Sequence, residues 1–246
     1  MTIGSQLLCY DTLSSTNTTA LQMISDEEPP EGTVVYAGYQ TSGKGCGENS
    51  WESERNKNLT FSIILYPQSV LAEKQFIISE SLSLGIRDFV IRHLPSCSIK
   101  WPNDIYIEDK KIAGILIENS ILGSSIKSSV AGIGLNVNQT VFPAGIPDPA
   151  SMKLLTGIDF DLNVILQELL ADLDKRYRQL LYGDREIIKQ EYVSVLYRYK
   201  EWHNYKSSEC TFKGRITGIS DQGQLIMEDQ KGSIVKYSFK DIDYLP

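Results

Sequence analysis

The sequence predicts an α+β fold: a mixed β-sheet flanked by helices, with a small β-barrel at its C-terminal end. Three features predict it. Residues 59–65 (LTFSIIL) form a near-continuous apolar run of strand length, as expected of a strand buried on both faces. Residues 73–94 and 162–182 carry apolar side chains at helical spacing, and 184–200 also reads as a helix. From about residue 207 the pattern changes to short strands punctuated by glycine (CTFKGRITGI, GQLIMED, GSIVKYSF). The division is placed so that a larger domain covers 1–205 and the barrel 206–246.

The elements follow in order. Residues 6–10 (QLLCY) read as a short strand, and in SSTNTTALQMI a Ser or Thr can cap a helix running to about residue 24. EEPPEG turns the chain, and Val34–Tyr39, β-branched and aromatic, leads into the glycine-rich TSGKGCGENS. The 73–94 helix presents Phe76, Ile77, Leu84, Phe89, Val90 and Leu94, and Pro95 ends it. Strand-like runs occupy 98–101, 104–108, 112–118 and 129–136. Residues 139–151, with three prolines, read as a mobile loop. In 162–182, Leu162, Ile165, Leu166, Leu169, Leu173, Tyr177 and Leu180 share one face.

Composition narrows the function. A net charge of −7 argues against nucleic acid or an anionic membrane as a partner, since no local basic patch offsets it. Four scattered cysteines (Cys9, Cys46, Cys97, Cys210) and two histidines lack the paired spacing of a zinc site, so reduced thiols in a cytoplasmic protein are expected. No basic-then-apolar leader opens the chain, and no run approaches the roughly 20 apolar residues of a membrane span.

Chemistry concentrates in four segments. Gly38–Lys44 satisfies most of a phosphate-binding P-loop, but Gly45 stands where Ser or Thr would hold magnesium, so that reading is rejected. The loop remains either a tight turn or a place where Gly43 and Gly45 let backbone amides approach an anion, with Lys44 adding charge. In Lys100-Trp-Pro-Asn-Asp104, Pro102 forbids a helix; the segment must bend and project Lys100, Asn103 and Asp104. Asp104 is either an oxygen ligand for magnesium or a turn stabiliser. Lys111 precedes Ala113 and Gly114, small residues in an apolar strand that mark a close approach to backbone. It is either a solvated turn lysine or a partner for a carboxylate or phosphate. Gly132 and Gly134 share one strand face, suiting a flat ligand or a β-bulge.

Together these segments resemble the catalytic domain of biotin–protein ligases, over essentially the whole chain. The matching pieces are Ser15-Thr16-Asn17, Gln40 with Gly43-Lys44-Gly45 and Trp51, Lys100–Asp104, Lys111 with Gly114, and Gly132, Gly134 and Asn136. KWPND followed by K-x-A-G is the specific part. The resemblance implies a class II synthetase-like catalytic domain with an SH3-like barrel. It also implies the form without an N-terminal DNA-binding domain, because S-T-N begins at residue 15. The implied reaction consumes biotin and Mg-ATP, forms biotinyl-5′-adenylate, and acylates one lysine of the biotin carboxyl carrier domain of a biotin-dependent carboxylase. Ser15, Thr16, Asn17 and Gln40 would then meet biotin's polar end or line its pocket, and Trp51 would wall the site. Lys44 and Lys111 would neutralise phosphate and carboxylate, Lys100 and Asp104 would be candidate bases for acyl transfer, and Asp104 the metal ligand. Asn103, Gly114, Gly132, Gly134 and Asn136 would complete the ligand surface. Residues 139–151 would order over the adenylate, and the carrier would dock by adding a strand to an open sheet edge. A monomer or homodimer is expected.

One position departs from the pattern. Where the family loop commonly carries a basic or amide residue after its second glycine, this chain has Cys46, followed by Gly47-Glu48. Without a basic or amide side chain at that point, the adenylate would be held less firmly. Three other readings are weighed: a lipoate-type ligase, a biotin-binding module without catalysis, and a biotin-sensing repressor. The last is disfavoured by charge and by the early start of the S-T-N segment.

Overall fold

The computed structural model describes residues 2–47, 49–144, 148–208 and 210–246. The chain forms β1 (Leu7–Leu13), α1 (Thr16–Asp26), β2 (Val34–Gln40), β3 (Leu59–Leu65), α2 (Phe76–Val90), β4 (Cys97–Lys100), β5 (Asp104–Ile107), β6 (Lys110–Leu122) and β7 (Ser125–Leu135). Then come α3 (Met152–Thr156), α4 (Leu162–Tyr182), α5 (Arg185–Ser194), β8 (His203–Ser207), β9 (Thr211–Ile219), β10 (Leu225–Asp229), β11 (Ile234–Tyr237) and β12 (Ile242–Tyr244). The first seven strands make one sheet in the order β1-β2-β3-β7-β6-β5-β4; the last five make a second, ordered β11-β10-β9-β8-β12. In the large sheet β1 runs parallel to β2 and the other neighbours are antiparallel, so the expected mixed sheet flanked by helices is found.

Alternation along the strands divides the interior. Val35, Ile64 and Val130 point to α1 and pack with Ala20. Their neighbours Val34, Ile63 and Ala131 point the other way, into the main core with Leu82, Phe89, Leu169 and Leu173 of α2 and α4. Because helices cover both faces, all seven residues of β3 are buried, which is why LTFSIIL shows no polar alternation.

Two helices end earlier than their periodicity predicts. The 73–94 stretch is α-helical only over α2, after a 3-10 turn at Ala72–Lys74; beyond Val90 the chain tightens, with Arg92 N–H on Phe89 C=O and His93 N–H on Val90 C=O. The 184–200 stretch leaves the helix at Ser194 because its backbone is claimed by the sheet: Ile99 N–H donates to Val195 C=O and Tyr197 N–H to Ile99 C=O. Those bonds cover the outer edge of β4. The second sheet takes in residues 203–205 as well, since β8 pairs with β9 and β12 across the expected 205/206 division. Of the 139–151 loop, residues 145–147 lie outside the described residues, as does Glu48.

Glu80 stands out on α2. It is buried, and its Oε2 has no partner among the described residues. Burial pushes its carboxyl up to about 7; Lys189 opposes the shift, while Asp221 and Glu186 add to it. The folded state therefore holds this proton more tightly than the unfolded chain. Its stabilising contribution is complete below the unfolded carboxyl range and is lost as pH rises through about 7. Glu80→Gln should match the parent near pH 4.5 and exceed it by roughly 2–3 kcal/mol at pH 8 in denaturant unfolding. Parallel stability curves across that range would refute the assignment.

Candidate active site

The chain leaving β1 delivers Ser15, Thr16 and Asn17 to the start of α1, where Ser15 caps the helix by accepting from Thr18 N–H. Thr16 donates to Gln40 Oε1 through its amide (2.7 Å) and its hydroxyl (3.1 Å). Ser62 Oγ donates to Asn17 Oδ1 (2.6 Å) and lies 2.7 Å from Thr16 Oγ1. Asn17 Nδ2 donates to Glu118 Oε2 at 2.8 Å. The result is a preset polar pocket whose members fix one another. Gly132 makes it possible: a Cβ there would stand 2.1 Å from Asn17 Oδ1.

The glycine loop folds back on itself, with Trp51 N–H on Gly43 C=O (2.9 Å) and Gly45 N–H on Asn49 C=O (2.8 Å). Lys44 and Ser50 sit opposite each other across this hairpin. It carries the Trp51 indole onto β7, where a Cβ on Gly134 would lie 2.2 Å from the ring. The glycine pair of β7 thus makes room for Asn17 and Trp51 of the protein itself. Trp51 Nε1–H is buried and has no acceptor among the described residues.

KWPND forms the facing wall, with a cis peptide between Trp101 and Pro102. It is held at three points: Trp101 Nε1–H donates to Gly223 C=O (2.9 Å), Tyr192 O–H to Pro102 C=O (2.7 Å), and Asn103 Nδ2 to Ile115 C=O (2.5 Å). Lys111 Nζ pairs with Asp104 Oδ1 at 2.7 Å and lies 5.8 Å from the Trp51 ring centroid. Gly114 is the floor under this pair, since a Cβ would come within 3.1 Å of Asp104 and 3.2 Å of Lys111. The close approach signalled by Ala113-Gly114 is therefore this ion pair. Lys100 Nζ stands 4.9 Å from the ring centroids of both Tyr106 and Tyr244, and burial lowers its pKa against the pull of Asp104.

These walls enclose a cavity of about 490 Å³. Ser15, Thr16, Asn17, Gln40, Lys44, Gly45, Cys46, Trp51, Lys100, Asn103, Asp104, Lys111, Gly114 and Gly132 line it. Gly43, Gly134 and Asn136 are not part of that lining; Gly43 instead lines a neighbouring cavity with Trp51, Phe142 and Pro143. Asn136 Nδ2 donates to Ala150 C=O (3.0 Å) and anchors the return of the 139–151 loop. The Cys46 thiol faces the cavity with its pKa raised, first by burial and then by Asp104, against Lys240 and Lys111. Two contributions are invisible in the sequence. Ser62 is one apolar-run serine among many. Phe239, Lys240, Ile242, Asp243 and Tyr244 come from the second sheet and close the cavity's far side.

Among the described residues no cluster of three or more His, Cys, Asp or Glu side chains could cage a metal. The donor set offers Asp104, one oxygen of which is on Lys111. Such a site suits a magnesium ion that arrives on polyphosphate and takes one protein carboxylate.

The model of the biotin/lipoate A/B protein ligase family matches residues 9–138. The bifunctional ligase/repressor BirA of Bacillus subtilis is 32% identical, over 96% of this chain and 73% of its own length. The biotin–[acetyl-CoA-carboxylase] ligase of Paracoccus denitrificans is 29% identical, over 80% of this chain and 85% of its own. Among solved structures, the biotin protein ligase of Aquifex aeolicus in complex with biotin and ATP superposes with a TM-score of 0.80 at 25% identity, covering 97% of this chain and 98% of that one. The chain belongs to the biotin/lipoate A/B protein ligase family, and within it to the biotin–protein ligases.

Proposed function

We propose that this protein activates biotin with ATP and transfers it to one lysine of a biotin carboxyl carrier domain in the cytoplasm. One observation carries the reading: the polar pocket of Ser15–Asn17 and the Lys111–Asp104 pair line a single cavity, with Trp51 between them. Biotin has a polar ureido ring at one end and a carboxylate at the other, and the two ends of the cavity are complementary to them. The relative from Aquifex aeolicus holds both biotin and ATP on the same fold.

In the first step a biotin carboxylate oxygen forms a bond to the α-phosphorus while the bond to pyrophosphate breaks. Both partners are anionic, so Lys111 and Lys44 lower the repulsion between them. Magnesium brought in on ATP would be held by Asp104 and would add Lewis-acid charge to the phosphates. In the second step the carrier lysine nitrogen bonds to the acyl carbon and AMP leaves. Asp104 and Lys100 are the groups of this wall suited to take up the amine proton. Burial lowers the pKa of Lys100, which makes its neutral amine, the form that can accept a proton, easier to reach. No protein nucleophile is required. The side chains of β1 are largely exposed and, among the described residues, the strand pairs only with β2, so this edge offers the carrier a strand to extend.

Titration calorimetry separates the two acids that the family uses. Biotin should bind the wild-type protein at least about a hundredfold more tightly than lipoate, because a site built of buried amides and hydroxyls leaves them unpaired against a dithiolane. Equal affinities would favour the lipoate-type reading, and biotin binding without biotin-dependent ATP–pyrophosphate exchange would favour a non-catalytic module.

A further inference from the structure

We propose that Lys240, carried by the C-terminal sheet, is a phosphate-binding residue of the active site and supplies in space the positive charge that the glycine loop lacks at Cys46. The proposal rests on the ligase reading above and names which residue meets the nucleotide.

Lys240 lies in the turn between β11 and β12. Ser238 N–H donates to Asp241 Oδ2 (2.9 Å), and Asp241 N–H donates to Ser238 C=O (3.0 Å). Within this turn Lys240 has φ +74°, an uncommon conformation for a residue with a side chain. The turn is seated on the KWPND wall: the Phe239 ring packs edge-on to Trp101 at 6.3 Å between centroids, and Ile242 is buried. A short, clamped turn of this kind aims its side chains more narrowly than a free loop would.

The Lys240 ammonium is aimed at the glycine loop. A Cβ on Gly47 would stand 2.5 Å from Lys240 Nζ and 3.2 Å from its Cε. Lys240 lines the same cavity as Lys44, Cys46 and Lys111. Its charge also reaches the Cys46 thiol, where it opposes the rise caused by burial. Lys111 is already paired with Asp104. Lys44 and Lys240 form no ion pair among the described residues, so two cations remain at this mouth for an incoming anion. On a chain of net charge −7, a nucleotide triphosphate needs such a local concentration of positive charge. In the sequence the loop and Lys240 are almost 200 residues apart. In the fold they share one edge of the cavity, so Lys240 offsets the deficit of charge that Cys46 alone would predict.

The location fixes the kinetic signature. Lys240 reaches Gly47 of the glycine loop, whereas Thr16, Asn17 and Gln40 are held by one another and by Ser62 and Glu118. Lys240→Ala should therefore raise the KM for Mg-ATP by about tenfold in biotin-dependent ATP–pyrophosphate exchange, the usual worth of one charge-assisted phosphate contact. Biotin affinity by calorimetry without nucleotide should not change. Lys240→Arg should keep the wild-type KM. Adding Cys46→Arg to Lys240→Ala should bring it back within about threefold of wild type, as coupled neighbours do. An unchanged KM in Lys240→Ala would overturn the proposal. So would a parallel loss of biotin affinity, which marks a merely structural residue, or a Cys46→Arg addition that restores nothing. If wild-type protein shows no exchange, the ligase reading fails instead. Mg-ATP titration of wild type and Lys240→Ala then still decides whether Lys240 binds phosphate.

Discussion

Lys111→Ala is expected to lower kcat/KM for transfer of labelled biotin to a carboxyl carrier domain by about a thousandfold, the scale of removing a positioned charge from a phosphoryl transition state. Two effects combine. The variant loses the cation facing the developing negative charge, and it leaves Asp104 without its 2.7 Å partner beside the incoming phosphates. Stability should hardly move, because both side chains are more than a quarter exposed and such pairs contribute little to folding. Adding Asp104→Asn to Lys111→Ala should not recover the rate, because it also removes the carboxylate that would hold the magnesium brought in on ATP. Transfer by Lys111→Ala at a third or more of the parental rate would exclude Lys111 from the chemistry.

Gly132→Ala should abolish biotin binding measurable by calorimetry while the protein remains folded. Its methyl would stand 2.1 Å from Asn17 Oδ1 on a strand flanked by β3 and β6, so the strand has little room to retreat. Asn17 must then move, and it shares Ser62 with Thr16, which in turn fixes Gln40. One methyl therefore disorders the whole polar pocket. The expected cost in stability is about 1–3 kcal/mol, the range of overpacking in a filled interior. Biotin affinity in Gly132→Ala within fivefold of the parent would show that Asn17 yields without consequence and that the pocket is less preset than its hydrogen bonds indicate.

Much of the frame is legible in the residues. LTFSIIL lies on β3, and the apolar face from Leu162 to Leu180 belongs to α4 over Leu162–Tyr182. Both patterns are long and unmixed, so local preference and burial point to the same structure. The helix expected over 184–200 stops at Ser194 for the opposite reason. Its local preference is weak, and hydrogen bonds to Ile99 decide the backbone of Val195 and Tyr197. Glycines in strands signal close approach, and that signal holds at Gly114, Gly132 and Gly134. What approaches them is protein: Lys111 with Asp104, Asn17, and Trp51. A sequence shows that space is needed and leaves open what fills it.

By itself, then, the sequence determined the kind of fold and its two sheets, and it marked KWPND, Lys111 and Ser15–Asn17 as candidate site segments, because each is written in a run of adjacent residues. Tertiary structure alone decided which groups meet. It paired Lys111 with Asp104, joined Ser62 to Thr16 and Asn17, and made Asn136 an anchor for Ala150. It also brought Phe239, Lys240 and Tyr244 from the far end of the chain to close the site. Hydrogen bonds and ion pairs act over a few ångströms, and distance along the chain says nothing about which side chains come that close.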